Sequence, residues 1–187
     1  MNGVHPYFID QQIVLIFKLK LLFITGSLNQ GGAEFQILAL ARLFKEKGNE
    51  VEVFALTNYD YYKPYLTKHQ IQYSHLLNTQ SKLERVWKTA RKLRAANPNV
   101  VVAYLRVVGK MAILSRFLSF VRFKLIIGER TSLVIPGYDE YYFNLMRFSD
   151  ILTVNSISKL RYIETKFPFL KKKTYFFPNV IDLEVFR

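Results

Sequence analysis

The chain has 187 residues, which is enough for one domain with a sizeable buried core. Half of the residues are hydrophobic and none is cysteine, which argues against disorder and excludes a disulfide framework or a cysteine nucleophile. The formal net charge of +13 predicts attraction to anionic partners such as phosphates, acidic lipids or nucleic acid.

The first apolar stretch, Ile13–Ile24, is interrupted by Lys18 and Lys20. It is therefore a poor candidate for a membrane span, and it lacks the small-residue cleavage site of a signal peptide. We interpret residues 1–17 as an N-terminal extension and Lys20–Thr25 as a buried strand.

Apolar runs then alternate with helical patterns along the chain. The predicted strands are Leu21–Thr25, Val51–Leu56, Val100–Leu105, Lys124–Glu129, Ile151–Asn155 and Thr174–Pro178, with a weaker one near Ile71–Tyr73. The predicted helices are Ala33–Lys47, Ser81–Ala96, Lys110–Phe120, Tyr141–Phe148 and Ile157–Lys166, the last with Ser156 as its N-cap. This alternation predicts an α/β fold: a doubly wound, mostly parallel, Rossmann-like sheet with helices on both faces.

The loop between the first strand and the first helix contains the adjacent glycines Gly31 and Gly32. Glycine lets backbone N–H groups approach a ligand, and a helix N-terminus favours phosphate or carboxylate. The spacing matches neither the dinucleotide-binding motif nor the phosphate loop of NTPases, so an NAD enzyme or an NTPase is disfavoured. The structural alternative is a tight strand-to-helix turn.

Five segments resemble, in the same order, motifs of the retaining family 4 glycosyltransferases, which have the GT-B fold. The resemblance covers about Lys20–Phe186, and its segments are TGSLNQGGAEFQILALARLFKEKGNEVEVFAL, VVAYLRVVGKMAILSRFL, LIIGERT, SDILTVNSISKLRYI and FPNVIDLEVF. It implies two Rossmann-like domains facing a cleft, of which this chain is the N-terminal, acceptor-side domain only. We therefore expect residues 18–187 to form an acceptor-binding domain, with the C-terminal, donor-binding domain absent from the chain.

The implied function is transfer of a sugar from a nucleotide-sugar donor to a glycan or polyprenyl-linked acceptor, in polysaccharide (for example capsule) or glycolipid biosynthesis. The donor would bind through the missing C-terminal domain, so we expect the isolated chain to be inactive. The alternative is a non-catalytic, membrane-recruiting subunit of a split glycosyltransferase. The resemblance implies no metal and no cofactor.

Substrate-binding roles are carried over only onto matching positions, which are Gly31, Gly32, Ala33, Glu34, Arg106, Glu129 and Arg130. Glu34 has the alternative of stabilising the helix N-terminus by its charge, and Glu129 and Arg130 that of a structural ion pair. Thr131 and Val180 depart from the family's Asn and Gly. No histidine follows the fourth or fifth strand, so no catalytic residue is named.

Ten Lys or Arg and no acidic residue lie between Glu84 and Glu129. With the nearby phenylalanines, this predicts peripheral association with an anionic membrane surface through about Arg106–Lys124. We expect a cytoplasmic protein that binds at the inner face of the membrane. The predicted membrane-facing residues are Lys110, Arg116, Arg122 and Lys124. A solvated basic surface is the alternative. Nucleic-acid binding is disfavoured because the aromatics lie mainly in strands and no recognition-helix motif occurs.

Overall fold

The structure, a computed structural model, describes residues 18–76, 81–131 and 134–180. The predicted N-terminal extension therefore lies outside the described residues. Seven strands form one sheet: β1 (Lys20–Thr25), β2 (Glu50–Ala55), β3 (Gln72–His75), β4 (Val100–Tyr104), β5 (Lys124–Glu129), β6 (Ile151–Val154) and β7 (Thr174–Phe176). The helices are α1 (Gly32–Glu46), α2 (Lys63–Lys68), α3 (Lys82–Ala96), α4 (Arg106–Ser119), α5 (Tyr138–Leu145) and α6 (Ile157–Lys166), with 3₁₀ turns at Met146–Phe148 and Pro168–Lys173.

The sheet is parallel throughout, in the order β3-β2-β1-β4-β5-β6-β7. β1 is an inner strand that pairs with both β2 and β4, with Leu21 opposite Val51 on one side and Val100 on the other. The chain builds outward from β1 to β3, then crosses back and builds outward from β4 to β7. The predicted doubly wound, Rossmann-like fold is confirmed, and its switch point lies between β1 and β4.

An apolar layer packs on each face of the sheet, which explains why the strands are almost continuously apolar. In β1, Leu22 and Ile24 face the layer that contains α3, α4, α5 and α6, whereas Leu21 and Phe23 face the layer that contains α1 and α2. Large side chains such as Tyr142 and Phe143 fill the first layer, and Leu66 lies in the second.

The helix ends follow recognisable local signals. The Ser81 and Ser156 side chains accept hydrogen bonds from the Glu84 and Lys159 amides, at 3.1 and 3.2 Å, so the predicted N-cap at Ser156 is confirmed. Gly48, beyond the end of α1, has φ +83°, a left-handed conformation that glycine adopts without strain.

Three elements differ from prediction. Helix α5 begins at Tyr138, three residues before the predicted Tyr141, and its last predicted turn is 3₁₀. Helix α4 begins at Arg106, four residues before the predicted Lys110, because Leu105 forms the turn with φ +77° and ψ 145°, which no local signal indicates for leucine. The short helix α2, with Pro64 in its first turn, was not predicted because six residues show too little periodicity. Among the described residues, no helix is long and apolar enough to cross a membrane.

Candidate functional site

The candidate site is the edge of the sheet where β1 and β4 end. The loop after β1 lies against the start of α4: a Cβ added to Gly26 would lie 3.7 Å from Leu105 Cδ1 and 3.8 Å from Val108 Cγ2. The connections that follow β1 and β4 lead to opposite sides of the sheet here, and ligands of such α/β folds bind in the space beyond the strand ends. We call this space the crevice.

The β1–α1 loop is fixed from beneath by the connection after β2. Leu28 is fully buried in the α1 layer. The Tyr62 amide donates to the Leu28 carbonyl at 3.0 Å, and the Thr57 hydroxyl donates to the Gly26 carbonyl at 3.0 Å. The tip of the loop is thus held in a defined position on a rigid base.

The two glycines at the tip of this loop have different surroundings. Gly31 is the N-cap of α1, with an extended backbone and no side-chain cap, and the Glu34 carboxylate folds back over the place where its Cβ would be. Gly32 is exposed, and a Cβ added there would meet no atom within 4 Å. The first turn of α1 therefore presents an open face at a helix N-terminus, where N–H groups and the helix dipole favour an anion.

A buried ion-pair cluster lies on the other side of the crevice. Arg106, the first residue of α4, donates from Nε to the Glu129 carboxylate at 3.1 Å and from Nη1 to Asp139 Oδ1 at 2.7 Å. Arg106 is 9% exposed, and both carboxylates are fully buried or nearly so. The cluster joins the end of β5 to the starts of α4 and α5.

Further groups satisfy the remaining oxygens of this cluster. The Thr131 amide donates to Glu129 at 3.2 Å, and the Tyr162 hydroxyl donates to Asp139 at 3.3 Å. The Arg106 guanidinium lies 5.2 Å from the centre of the Tyr142 ring. Such a network holds its members in one geometry, because each buried charge depends on its partners.

Burial dominates the electrostatics of this cluster. It raises the pKa of Glu129, and the charge of Arg106 opposes that rise only in part. Burial also lowers the pKa of Lys159, which lies against the same cluster and is opposed by Glu129 and Asp139. Two cations and two carboxylates thus share a dry environment close to the crevice.

Arg130 is directed away from Glu129. Its guanidinium stacks 4.2 Å from the centre of the Tyr104 ring at the end of β4, and Nη1 donates to the Phe177 carbonyl at 3.1 Å. Beyond Phe177, the Val180 backbone exchanges hydrogen bonds with the Gln36 side chain of α1, at 2.5 and 2.8 Å. Arg130 and Gln36 therefore hold the segment that follows β7 against the candidate edge.

The structure brings the predicted substrate-binding residues to one edge of the sheet, in two groups. Gly31, Gly32, Ala33 and Glu34 open α1, while Arg106, Glu129 and Arg130 follow β4 and β5. Sequence reasoning missed Asp139 and Lys159, which complete the buried cluster. No spacing in the sequence indicates that they meet Arg106, because they come from α5 and α6.

The four predicted membrane-facing residues have different environments. Lys110 lies 4.9 Å from the centre of the Tyr138 ring of α5. Arg116 pairs with Asp150 at 2.9 Å and donates to two carbonyls, whereas the side chains of Arg122 and Lys124 are exposed beyond the end of α4.

Exposed apolar side chains also occur along α3 and α4. Phe120, with φ +56°, is 87% exposed directly after α4, and Leu83 on the neighbouring helix α3 is 83% exposed. The other exposed apolar members are Trp87 and Phe117. We call this surface, with Arg122 and Lys124, the α3–α4 face.

Within residues 18–76, 81–131 and 134–180, no group of three or more His, Asp or Glu is placed to hold a metal ion. The groups that the structure places at this edge are backbone amides, one aromatic-stacked arginine and a buried charge cluster.

No protein-family model matches the chain, and no curated protein matches it. Solved structures do. Anabaena Alr3699/HepE in complex with UDP and glucose matches with a TM-score of 0.73 and 18% identity over 89% of this chain and 46% of that chain. A glycosyltransferase from Rickettsia africae matches at 0.71 and 14% identity, over 91% and 45%. The lipopolysaccharide outer core galactosyltransferase WaaB matches at 0.67 and 17% identity, over 88% and 46%.

These matches show that the chain has the fold of one half of a GT-B glycosyltransferase. The chain spans about half the length of the structures it matches. At sequence identities this low, the structural matches establish the fold but not the activity of this chain.

Proposed function

We propose that this chain is the acceptor-side domain of a retaining, family 4 type glycosyltransferase that transfers a sugar from a nucleotide-sugar donor to a glycan or lipid-linked acceptor. The observation that carries the proposal is the open position of Gly32 in the glycine tip, at the switch point of the sheet. It is supported by the fold shared with Anabaena HepE, which was solved with UDP and glucose.

The proposed role of the glycine tip is electrostatic. The leaving group of the reaction is a nucleoside diphosphate, whose negative charge increases as the bond to the sugar breaks. N–H groups at the start of α1 stabilise that charge because they are already oriented toward it. Gly32 allows the diphosphate to approach without meeting a Cβ.

The proposed role of the buried cluster is positional. Retention by attack from the face of the leaving group requires an accurately placed acceptor more than it requires a protein base. The ion pairs of Arg106 fix the strand end and the helix starts that border the crevice. The more accessible Arg130 is the candidate for contact with an acceptor phosphate or hydroxyl.

In this proposal, most of the donor contacts belong to a second Rossmann-like domain, so the chain alone does not catalyse transfer. The test is to incubate residues 1–187 with radiolabelled UDP-glucose and related sugar nucleotides, together with polyprenyl-phosphate and oligosaccharide acceptors. We expect no labelled product from this chain, and labelled product when a second, donor-binding domain is supplied in the same reading frame or on a partner chain. Turnover by the isolated chain would contradict the half-enzyme assignment.

The α3–α4 face is the proposed contact with an anionic membrane. Arg94 lies 6.0 Å from the centre of the exposed Phe120 ring and donates to the Ser119 carbonyl, while Arg91 lies 4.8 Å from the centre of the Trp87 ring. Exposed aromatic side chains enter the interface, and each nearby cation adds about 1 kcal/mol of attraction to an acidic leaflet.

Vesicle sedimentation tests the membrane proposal. We expect the chain to sediment with phosphatidylglycerol-containing vesicles and not with phosphatidylcholine alone, and salt should weaken the binding. A double change of Phe120→Ser and Arg122→Ser should release it. Tyr175→Ser changes an aromatic on β7 that is 53% exposed and lies outside the α3–α4 face, so this control should bind normally. Equal binding to neutral and acidic vesicles would overturn this proposal.

A further inference from the structure

One large apolar groove lies on the side of the sheet that carries α1, and at one end it reaches Tyr104 and Phe177, which contact Arg130 at the candidate edge. It has a volume of 690 Å³, and its lining includes Leu19, Leu43, Val102, Ile126 and Tyr175. In β5 and β6, Ile126 and Ile151 face this groove, while their neighbours Leu125, Ile127 and Leu152 lie in the layer on the opposite side.

The groove exists because the two faces of the sheet are covered unequally. On the groove side, α1 and α2 lie over β1–β4. Among the described residues, no helix lies over β5, β6 and β7 on that side. Parallel sheets are normally covered on both faces. The exposed apolar surface of β5, β6 and β7 on this side is therefore expected to bind another segment or molecule.

We propose that residues 1–17 of this chain cover the groove. The segment ends directly before Lys18 and Leu19, and Leu19 itself lines the groove. The cover therefore starts at the groove and needs no connecting loop. This inference is independent of the proposed function.

The composition of the segment suits this site. Its sequence, MNGVHPYFIDQQIVLIF, contains neither Lys nor Arg in a chain with a net charge of +13, and it ends in the five apolar residues 13–17. Its one acidic residue, Asp10, is opposite in charge to Lys47 at the edge of the groove. Docking buries two apolar surfaces against each other that would otherwise both face water.

The length of the segment is also sufficient. From β1 to β7 the groove crosses four strand spacings, which is about 19 Å. Seventeen residues reach about 26 Å as a helix and about twice that when extended, so either conformation spans the groove. Covalent attachment gives the segment a millimolar-range effective concentration at the groove, which favours it over a second copy of the chain.

Paramagnetic NMR tests this proposal, and the chain suits it because it contains no cysteine. A nitroxide attached at Tyr175→Cys lies at the far end of the groove, on a side chain that is already 53% exposed. We expect it to broaden the amide signals of residues 1–17. Leu43→Cys, on the α1 side of the groove, gives a second labelling position if the first variant is unstable. A label at the exposed Thr165→Cys, on α6 across the sheet, is the control and should leave those signals sharp.

The outcomes separate the possible occupants. Broadening by the groove labels that is unchanged on dilution supports the proposal. A mixing experiment combines nitroxide-labelled chains with isotope-enriched chains that carry no nitroxide. Broadening that appears only in this mixture identifies a second copy as the occupant and overturns the proposal. Sharp signals with both groove labels, or equal broadening by the Thr165→Cys label, also overturn it.

Discussion

At the scale of single residues, a missing Cβ has different consequences at two neighbouring positions. At Gly31 it makes room for the Glu34 carboxylate, which belongs to the same helix turn. At Gly32 it leaves open space. Packing within the described structure therefore accounts for glycine at position 31 but not at position 32. For this reason the binding proposal depends on Gly32.

This difference predicts opposite effects of alanine at the two glycines. Gly32→Ala should keep or raise the free energy of unfolding, by up to about 1 kcal/mol, because alanine favours helix and its methyl group meets nothing. Gly31→Ala should lower it, because Glu34 must move and alanine is a poor N-cap. Urea denaturation of both variants measures this, and an equal loss in both would show that Gly32 is as enclosed as Gly31.

Arg106 illustrates a buried charge that depends on its partners. Arg106→Leu should cost about 3–5 kcal/mol, because it leaves the Glu129 and Asp139 carboxylates buried without their cation. Arg122→Leu, an exposed arginine, is the control and should change stability by less than about 0.5 kcal/mol. Chemical denaturation compares the two, and a loss below about 1 kcal/mol for Arg106→Leu would mean that the cluster does not hold this edge.

At the scale of elements, apolar runs and caps were enough to predict all seven strands and most helices. Such signals are local, as the Ser156 cap of α6 shows. The early start of α4 was missed because Leu105 adopts a backbone conformation that costs about 1–3 kcal/mol and is imposed by its surroundings. The sequence also did not indicate that Asp139 joins Arg106 and Glu129. The two carboxylates come from different elements, and only the fold brings them together.

Asp150 connects three of these elements at the opposite edge of the sheet. Its carboxylate accepts from the Leu125 amide at the start of β5 at 2.8 Å and pairs with Arg116 of α4 at 2.9 Å. Burial acts to raise the pKa of Asp150, but the Leu125 amide and the Arg116 charge outweigh it, so the pKa is lowered.

The lowered pKa of Asp150 predicts a pH-dependent contribution to stability. The contribution is present above the pKa of the unfolded chain and is lost as pH falls through the lower pKa of the folded state. Asp150→Asn should therefore be less stable by about 1–2 kcal/mol at neutral pH, and the difference should shrink as the medium becomes acidic. Unfolding measured across acidic to neutral pH tests this, with Glu46→Gln as a surface control. A difference that is constant with pH would contradict the assignment.

At the scale of the whole molecule, one parallel sheet separates four regions: its two edges and its two faces. The glycine tip and the Arg130 side chain lie beyond the carboxyl ends of the strands, while Asp150 lies before β6, at the amino ends. The α3–α4 face and the apolar groove lie on opposite sides of the sheet. The sequence predicted the fold and the glycine loop, whereas the groove emerged only from the unequal covering of the two faces.

The central claim is that the tip at Gly31–Gly32 binds the diphosphate of a nucleotide sugar. The most direct measurement is an amide-resolved NMR titration of this chain with UDP, with inorganic pyrophosphate and with uridine. The account predicts saturable shifts of the amides of Gly31, Gly32, Ala33 and Glu34 with UDP and pyrophosphate, and none with uridine. If those amides do not move, or if only the basic residues of the α3–α4 face respond, the claim is contradicted.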